Sequence, residues 1–352
     1  MRFSRLKRPA FFILKLAVAA LIVWYLLLRD TASLAASLRN FDLRCLAGAA
    51  VCYLFHSAVC AWRWRRLALM LKITLGSFES FSLTMQGMFF SLVIPGGAIG
   101  GDVVKMAVIS KRTQHGQKTE GAFTVLMDRI IGMIALFLLV LAVVSYSTEL
   151  LMNCSIPHIP LSDGVKKLCI CALVLISLSG LAASCVIFFH KLVHKAALFD
   201  KLIAFADRIS GSTVSRMEKA ADVYAGHPGK LTVLTAASIF GVHLMTVCPL
   251  LFLLSGLGVK YSILTVIAAV TLGNVAGLLP FFPSGVGIRD LVTVTILVSG
   301  GVPEFDAKSA QLLYTAIIII FNLLGGLFFI FDPGRKNTEQ NGVSSSDGQP
   351  AA

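Results

Sequence analysis

A motif written twice inside apolar sequence, 188 residues apart, constrains this chain more than any other feature. The first copy runs Pro95-Gly96-Gly97-Ala98-Ile99-Gly100-Gly101-Asp102, and the second runs Pro283-Ser284-Gly285-Val286-Gly287-Ile288-Arg289-Asp290. Both read P-x-G-x-x-x-x-D. Proline removes a backbone donor and glycine permits backbone angles that end helices. In hydrocarbon, a broken helix leaves polar backbone groups without partners. It survives only where protein or a watery cavity covers it. Two such breaks at matching places in two halves of a chain point to the central site of a transporter.

Composition places the motif in a membrane. The chain has 352 residues, of which 57% are hydrophobic and 14% charged, with mean hydropathy +0.83. Six segments are long enough to cross a bilayer: about Ala10–Leu28, Leu43–Ala61, Ala122–Tyr146, Leu168–Phe189, Leu231–Ser255 and Ala310–Phe331. The first follows a basic N-terminus and reads as a retained signal anchor, with no convincing cleavage site after it. Two further apolar stretches, about Phe78–Ile109 and Ser262–Ser299, contain the motifs. Each has an apolar arm, a break and a shorter arm. It forms either a re-entrant hairpin or two short crossings, and either way the chain returns to its starting side.

Lysine and arginine set the orientation. Of the 31, the loops and tail of one side hold 22, the other side holds 7, and Arg129 and Arg289 lie within apolar segments. The split predicts that both termini are cytoplasmic, in the cell (inner) membrane. The order span, span, hairpin, span then occurs twice from opposite faces, which is an inverted-topology repeat. The expected fold is an all-α polytopic membrane protein with six full spans and two broken or re-entrant hairpins. Repeat 1 covers about 10–146 and repeat 2 about 168–331, within one domain of residues 10–331. Residues 1–9 are a basic cytoplasmic segment, and 332–352 are a Ser/Gly/Gln-rich disordered tail. The cytoplasmic loop at 190–230 carries apolar residues at roughly helical spacing, which suggests amphipathic helices on the inner leaflet or a solvated connector.

The basic excess suits anionic headgroups better than nucleic acid, because no stacking or RNA-binding motif accompanies it. Most of the eight cysteines lie in or beside apolar spans, and no C-x-x-C pattern suggests a metal. No H-E-x-x-H, G-x-S-x-G or Walker sequence is present, so no catalytic role and no cofactor are expected.

Within the apolar segments the ionisable residues are Asp128, Arg129, Arg289 and Asp290. A charge at the bilayer centre costs about 2.5–3.5 kcal/mol on insertion scales, so such residues face a cavity or a partner. Asp128 and Arg129 read as a structural or gating pair near the interface, or as substrate contacts. Arg289 and Asp290 follow a break at the start of a half-helix, whose N-terminus suits an anion such as a phosphodiester. Asp102 and Asp290 either cap helix starts or contact a cationic headgroup or the opposing hairpin's basic residue. Lys105, one turn past Asp102, either binds phosphate or snorkels. Asn274 and Gln86, in the arms before the breaks, line the cavity or join helices. His56 and His243 are packing residues or proton carriers. Arg63, Arg65 and Arg66 beside Trp62 and Trp64 read as an interfacial anchor, with Arg63 and Arg66 as inner-leaflet contacts.

The motif set PGGAIGGD (Pro95–Asp102), VLMDRIIG (Val125–Gly132), GNVAGLLPFFPSGVGIRD (Gly273–Asp290) and AWRWRRL (Ala61–Leu67) resembles the flippase-like transmembrane domain of lysylphosphatidylglycerol synthases and their stand-alone relatives. The resemblance covers about Ala10 to Phe331. It implies a domain that moves aminoacylated phosphatidylglycerol between leaflets, without the aminoacyl-transferase domain that makes this lipid. A separate lipid-modifying enzyme is then an implied partner. The chain has Lys105, Ser284 and Asp290 where the family more often has Arg, Gly and Glu. Charge is retained at Lys105 and Asp290, while reach and hydrogen-bond geometry change.

The leading expectation is a lipid translocase working by alternating access, with membrane phospholipids as partners. Three others stay open: a secondary transporter of a small anion, a membrane-embedded lipid-linked transferase using Asp102 or Asp290 as base, and a non-catalytic assembly subunit. Gly325-Gly326 offers close packing within or between chains.

Overall fold

The computed structural model describes residues 41–94, 98–113, 117–154, 162–188, 213–278 and 285–331. All regular structure among them is helical. In order these are α1 (Leu43–Met70), α2 (Ser77–Val93), α3 (Ala98–Arg112), α4 (Lys118–Met152), α5 (Asp163–Phe188), α6 (Thr213–Ala225), α7 (Pro228–Ser238), α8 (Val247–Gly256), α9 (Ile263–Ala276), α10 (Ile288–Ser299) and α11 (Glu304–Ile330). A π turn (Ile239–His243) and a 3₁₀ turn (Leu244–Thr246) join α7 to α8. Among the described residues, five helical stretches are long and apolar enough to cross a membrane: α1, α4, α5, the α7–α8 unit and α11. The expected first span, Ala10–Leu28, the loop portion 190–212 and the tail lie outside the described residues.

Several spans run longer than their apolar stretch. α1 continues nine residues past Ala61 to Met70. The segment WRWRRLALM contains good helix formers and no Gly or Pro, so nothing in it stops the helix. The stop comes at Lys72, which takes φ 60. Asp42 caps the other end, accepting from Arg44 N at 2.9 Å. The interruption between α7 and α8 has a different cause. Pro249, in the first turn of α8, has no N–H for the carbonyl four residues back and its ring crowds that turn. The chain absorbs this by π and 3₁₀ geometry just upstream.

The two motif-bearing stretches form matching hairpins. α2 packs on α3, and α9 packs on α10. At 1.5 Å per residue, the 14 and 12 residues of α9 and α10 reach about 21 and 18 Å, short of a 30 Å hydrocarbon layer. Each hairpin closes at its base. Arg112 at the end of α3 pairs with Glu79 at the start of α2 (3.1 Å), and Gly300 after α10 lies against Thr265 near the start of α9. The arms of the first approach through glycine: a Cβ on Gly101 would strike the Gly87 carbonyl and the Ser91 hydroxyl. In the second, Gly285 (φ +72) sits on the backbone of Gly277, an approach and a conformation that only glycine allows.

The same order of elements occurs twice, and the packing partners are exchanged between halves. α11, which ends the second half, packs on α2, the first arm of the first hairpin. α4, which ends the described first half, packs on α9, the first arm of the second. α1 packs on α8. The main core joins α1, α4, α8, α9, α10 and α11 around Leu250, Leu253, Val266 and Leu297. A second cluster docks α6 and α7 on α1 and α4, with Tyr224 donating to the Leu67 carbonyl (3.0 Å).

Candidate functional site

Two buried polar clusters flank the breaks. The first is built from α1, α3 and α4. Arg63 Nε donates to Asp128 Oδ1 at 2.8 Å, and its Nη1 donates to Ser238 Oγ on α7 at 2.9 Å. Lys105 Nζ stands 3.8 Å from Asp128 Oδ2 and 3.8 Å from the centre of the Trp64 ring. Trp64 in turn donates Nε1–H to Thr124 Oγ1 at 3.0 Å. The adjacent Arg129 turns the other way and pairs with Asp102 Oδ2 at 2.9 Å. The inner residues are nearly dry, with Arg63 and Lys105 side chains each 6% exposed, while Arg129 and Asp102 are 31% and 32% exposed.

This arrangement corrects four sequence expectations. Asp128 and Arg129 do not pair with each other; consecutive helix positions point them to different partners. Arg63 and Trp64 are buried and belong to the cluster, not to an interfacial anchor, whereas Trp62 and Arg66 are exposed. Lys105 does not snorkel; it is held over Trp64 in a cation–π contact. Asp102 is not a cap, because α3 begins at Ala98 and Asp102 lies in its second turn.

The second cluster is built from α10 and α11. Asp290 does cap its helix, its Oδ2 accepting from Gly287 N at 3.0 Å. Its Oδ1 accepts from Gln311 Nε2 (2.7 Å), Thr315 Oγ1 (2.9 Å) and Arg289 Nη2 (3.1 Å). Arg289 also donates to Thr315 Oγ1 and lies 5.8 Å from the Tyr314 ring centre. Tyr314 OH donates to the Thr246 carbonyl at 2.8 Å, and Asn274 Nδ2 donates to Thr246 Oγ1 at 3.2 Å. Asn274 thus ties α9 to the 3₁₀ turn. Gln86 Nε2 likewise joins α2 to the Phe328 carbonyl of α11 (3.3 Å). The motif aspartates therefore play parallel parts: each binds the span that follows its own hairpin, Asp102 through Arg129 and Asp290 through Gln311 and Thr315.

His56 Nδ1 lies 3.2 Å from the Val242 carbonyl, and His243 Nε2 lies 2.9 Å from the Gly132 carbonyl. Both fasten the π turn to its neighbours, as packing histidines do. Of the break residues, Gly100 and Gly101 lie in the first turn of α3, and Gly285 and Gly287 precede α10 with φ +72 and +97. Pro95, Gly96, Gly97 and Pro283 lie outside the described residues. Sequence reading missed Ser238, Gln311, Thr315, Tyr314 and Thr246. The i, i+4 pair Gln311 and Thr315 in an apolar span was the available signal, since together they mark one polar stripe. No group of three or more potential metal ligands occurs among the described residues.

The family model of the lysylphosphatidylglycerol synthase TM region matches residues 12–326. A UPF0104 membrane protein of Pyrococcus horikoshii is 18% identical over 328 residues, spanning 92% of this chain and 97% of that protein. The matched interval takes in both hairpins and every residue of both polar clusters. The chain is a membrane protein of the lysylphosphatidylglycerol synthase TM region family.

Proposed function

We propose that this chain translocates a phospholipid, anionic or aminoacylated, between the leaflets of the cell membrane. The observation that carries this reading is the charge of the first cluster. Among the described residues, Arg63, Lys105 and Arg129 face Asp102 and Asp128, so cations exceed carboxylates beside a helix break. One phosphodiester would balance that surplus in a site too dry to leave it to water. The surroundings favour a lipid over a soluble anion. Ile99 and Val103 of α3 and Leu126 of α4, which flank the Asp102–Arg129 pair, are apolar and exposed. A headgroup held there would keep its acyl chains in the bilayer.

The repeated element order and exchanged packing partners support an inverted-topology repeat in which each half rocks against the other, and the lysine and arginine distribution supports cytoplasmic termini. The π and 3₁₀ turns give this motion a hinge. Ser238, just before them, is bonded to Arg63 of the first cluster, and Thr246, at their end, is bonded to Tyr314 beside the second. In this reading no covalent step occurs. Asp290 has both oxygens committed to donors, which suits a positioning role rather than a general base. A separate enzyme would supply or modify the lipid.

The test is reconstitution in liposomes. Leaflet exchange of headgroup-labelled phosphatidylglycerol, lysyl-phosphatidylglycerol and phosphatidylethanolamine is followed for the wild type, Asp102→Asn and Asp290→Asn. Exchange of one of these lipids by the wild type and its loss in both variants is expected. Folded wild-type protein that exchanges none of them would overturn the reading. Gradient-driven uptake of a soluble anion instead would select the secondary-transporter alternative.

A further inference from the structure

A groove of 540 Å³ lies between the end of α1 and the start of α7, remote from either hairpin break in sequence. Its lining includes Trp62, Arg66 and Met70 from α1, and Lys230, Val233 and Leu234 from α7. Among the described residues, no acidic side chain lines it. Arg66 Cζ stands 5.6 Å from the centre of the Trp62 ring, so the guanidinium is parked over an aromatic wall. Arg66 and Lys230 are both exposed. The apolar side of the groove is exposed as well: Trp62 is 37% and Val233 62% accessible. Beyond the end of α7, Phe240 in the π turn is also apolar and 66% accessible.

We propose that this groove is a binding site for an anionic phospholipid, separate from the translocation site. The chemistry is amphipathic in the same sense as the ligand. Two cations meet the phosphate, with no acidic side chain among the described lining residues, Trp62 marks the headgroup level where indole rings prefer to sit, and the strip toward Phe240 takes an acyl chain. The groove's volume falls within the range of ordinary small-ligand sites. Arg66 and Lys230 come from the ends of two spans that α6 and Tyr224 help to fasten together. A lipid seated between them bridges α1 to α7, the helix whose far end meets Arg63 through Ser238. The occupied groove therefore stiffens one support of the first polar cluster.

Trp62 is its own reporter. The chain has three tryptophans, Trp24, Trp62 and Trp64, and Trp64 is fully buried. The full-length protein is placed in phosphatidylcholine vesicles containing increasing fractions of phosphatidylglycerol with brominated acyl chains, and tryptophan quenching is measured. Brominated phosphatidylcholine serves as the reference. Half-maximal quenching at a lower fraction of phosphatidylglycerol than of phosphatidylcholine is expected, and Trp62→Phe should remove that component. At about fivefold per interfacial cation, Arg66→Gln with Lys230→Gln should weaken the preference roughly 25-fold. Lys111→Gln, an exposed cation outside the groove, should leave it in place. Equal quenching by the two lipids, or a preference that survives the double variant, would mean ordinary annular lipid and overturn the proposal. So would a Trp62 that neither lipid quenches, which would mean that another segment or a second copy fills the groove. This inference does not depend on translocation: loss of lipid exchange with the quenching preference intact would count against the translocase reading alone.

Discussion

Arg63 Nε and Asp128 Oδ1 meet at 2.8 Å across an interval of 65 residues that contains the entire first hairpin. The pair clamps α1 to α4 around the hairpin's second arm, because Lys105 of that arm approaches the other oxygen of the same carboxylate. Removing one member of a buried ion pair strands the others. Asp128→Asn leaves two buried cations without their anion, and the expected destabilisation is about 3–5 kcal/mol. It is read as a lowered melting midpoint in detergent. Replacing the whole set, Arg63→Met, Lys105→Met and Asp128→Leu, should recover most of that loss while abolishing lipid exchange. A triple variant as unstable as Asp128→Asn would show that packing, not charge, sets the cost.

The outer pair behaves differently. Asp102 and Arg129 are about one-third exposed, so water already screens them, and their bond contributes about 0–1 kcal/mol to stability. Asp102→Asn should therefore leave the melting midpoint nearly unchanged. If Arg129 must change partners from Asp102 to a phosphate during transport, exchange should still fall by roughly tenfold, the equivalent of one charge-assisted hydrogen bond. The informative result is the separation of the two readouts, with stability kept and transport lost.

Steric evidence is available at Gly101. A methyl group there meets the backbone carbonyl of Gly87, which cannot swing aside as a side chain would. Gly101→Ala should force α2 and α3 apart at a cost of about 1–3 kcal/mol. Gly229→Ala is the matched control, since nothing lies within 4 Å of its added carbon. Equal melting midpoints for the two variants would argue against the close crossing of the arms.

The second cluster predicts a graded response. Asp290 Oδ1 accepts from both Gln311 and Thr315, so either donor alone leaves the carboxylate partly satisfied. Hydrogen bonds to a charged group contribute about 1.5–3 kcal/mol. Thr315→Val and Gln311→Ala should each destabilise within that range. The double variant should cost more than the sum, because each single variant leaves the other donor on the same oxygen and only the double variant strips both. Thermal unfolding of the three proteins side by side measures this.

The hairpins and the family were legible in the sequence because proline and glycine are rare enough in apolar runs to be noticed twice. The partners were not. Arg63 stood beyond the apolar limit of its span and read as a loop residue, since hydropathy stops at Ala61 whereas the helix stops at Met70. That difference decides whether an arginine is an anchor at the surface or a ligand inside. Likewise, Asp128 and Arg129 are neighbours in sequence, and only the turn of the helix separates one into the core and the other toward the edge. Ser238 and Thr246 are ordinary residues in any apolar helix. Their meaning comes from flanking a π turn, which no local pattern except the downstream Pro249 announces.

That turn allows a final test of the hinge. A π turn carries one residue more than the α-helix would need, so deleting Phe240, whose side chain is exposed, should let Ile239–His243 become regular helix. Because the extra residue is wound up within the π turn, its removal leaves the flanking helices nearly in phase, with Ser238 and Thr246 close to their present alignment. The bonds of Ser238 to Arg63 and of Tyr314 to the Thr246 carbonyl are then both kept, and only the hinge is removed. Helical content by circular dichroism should be unchanged and lipid exchange should be lost. The point variant Ser238→Ala, which removes the hydroxyl's bonds to Arg63 and to the Leu234 carbonyl but keeps the turn, should reduce exchange by less than the deletion. If the deletion exchanges lipid as fast as the wild type, the interruption is a local response to Pro249 and the motion pivots elsewhere.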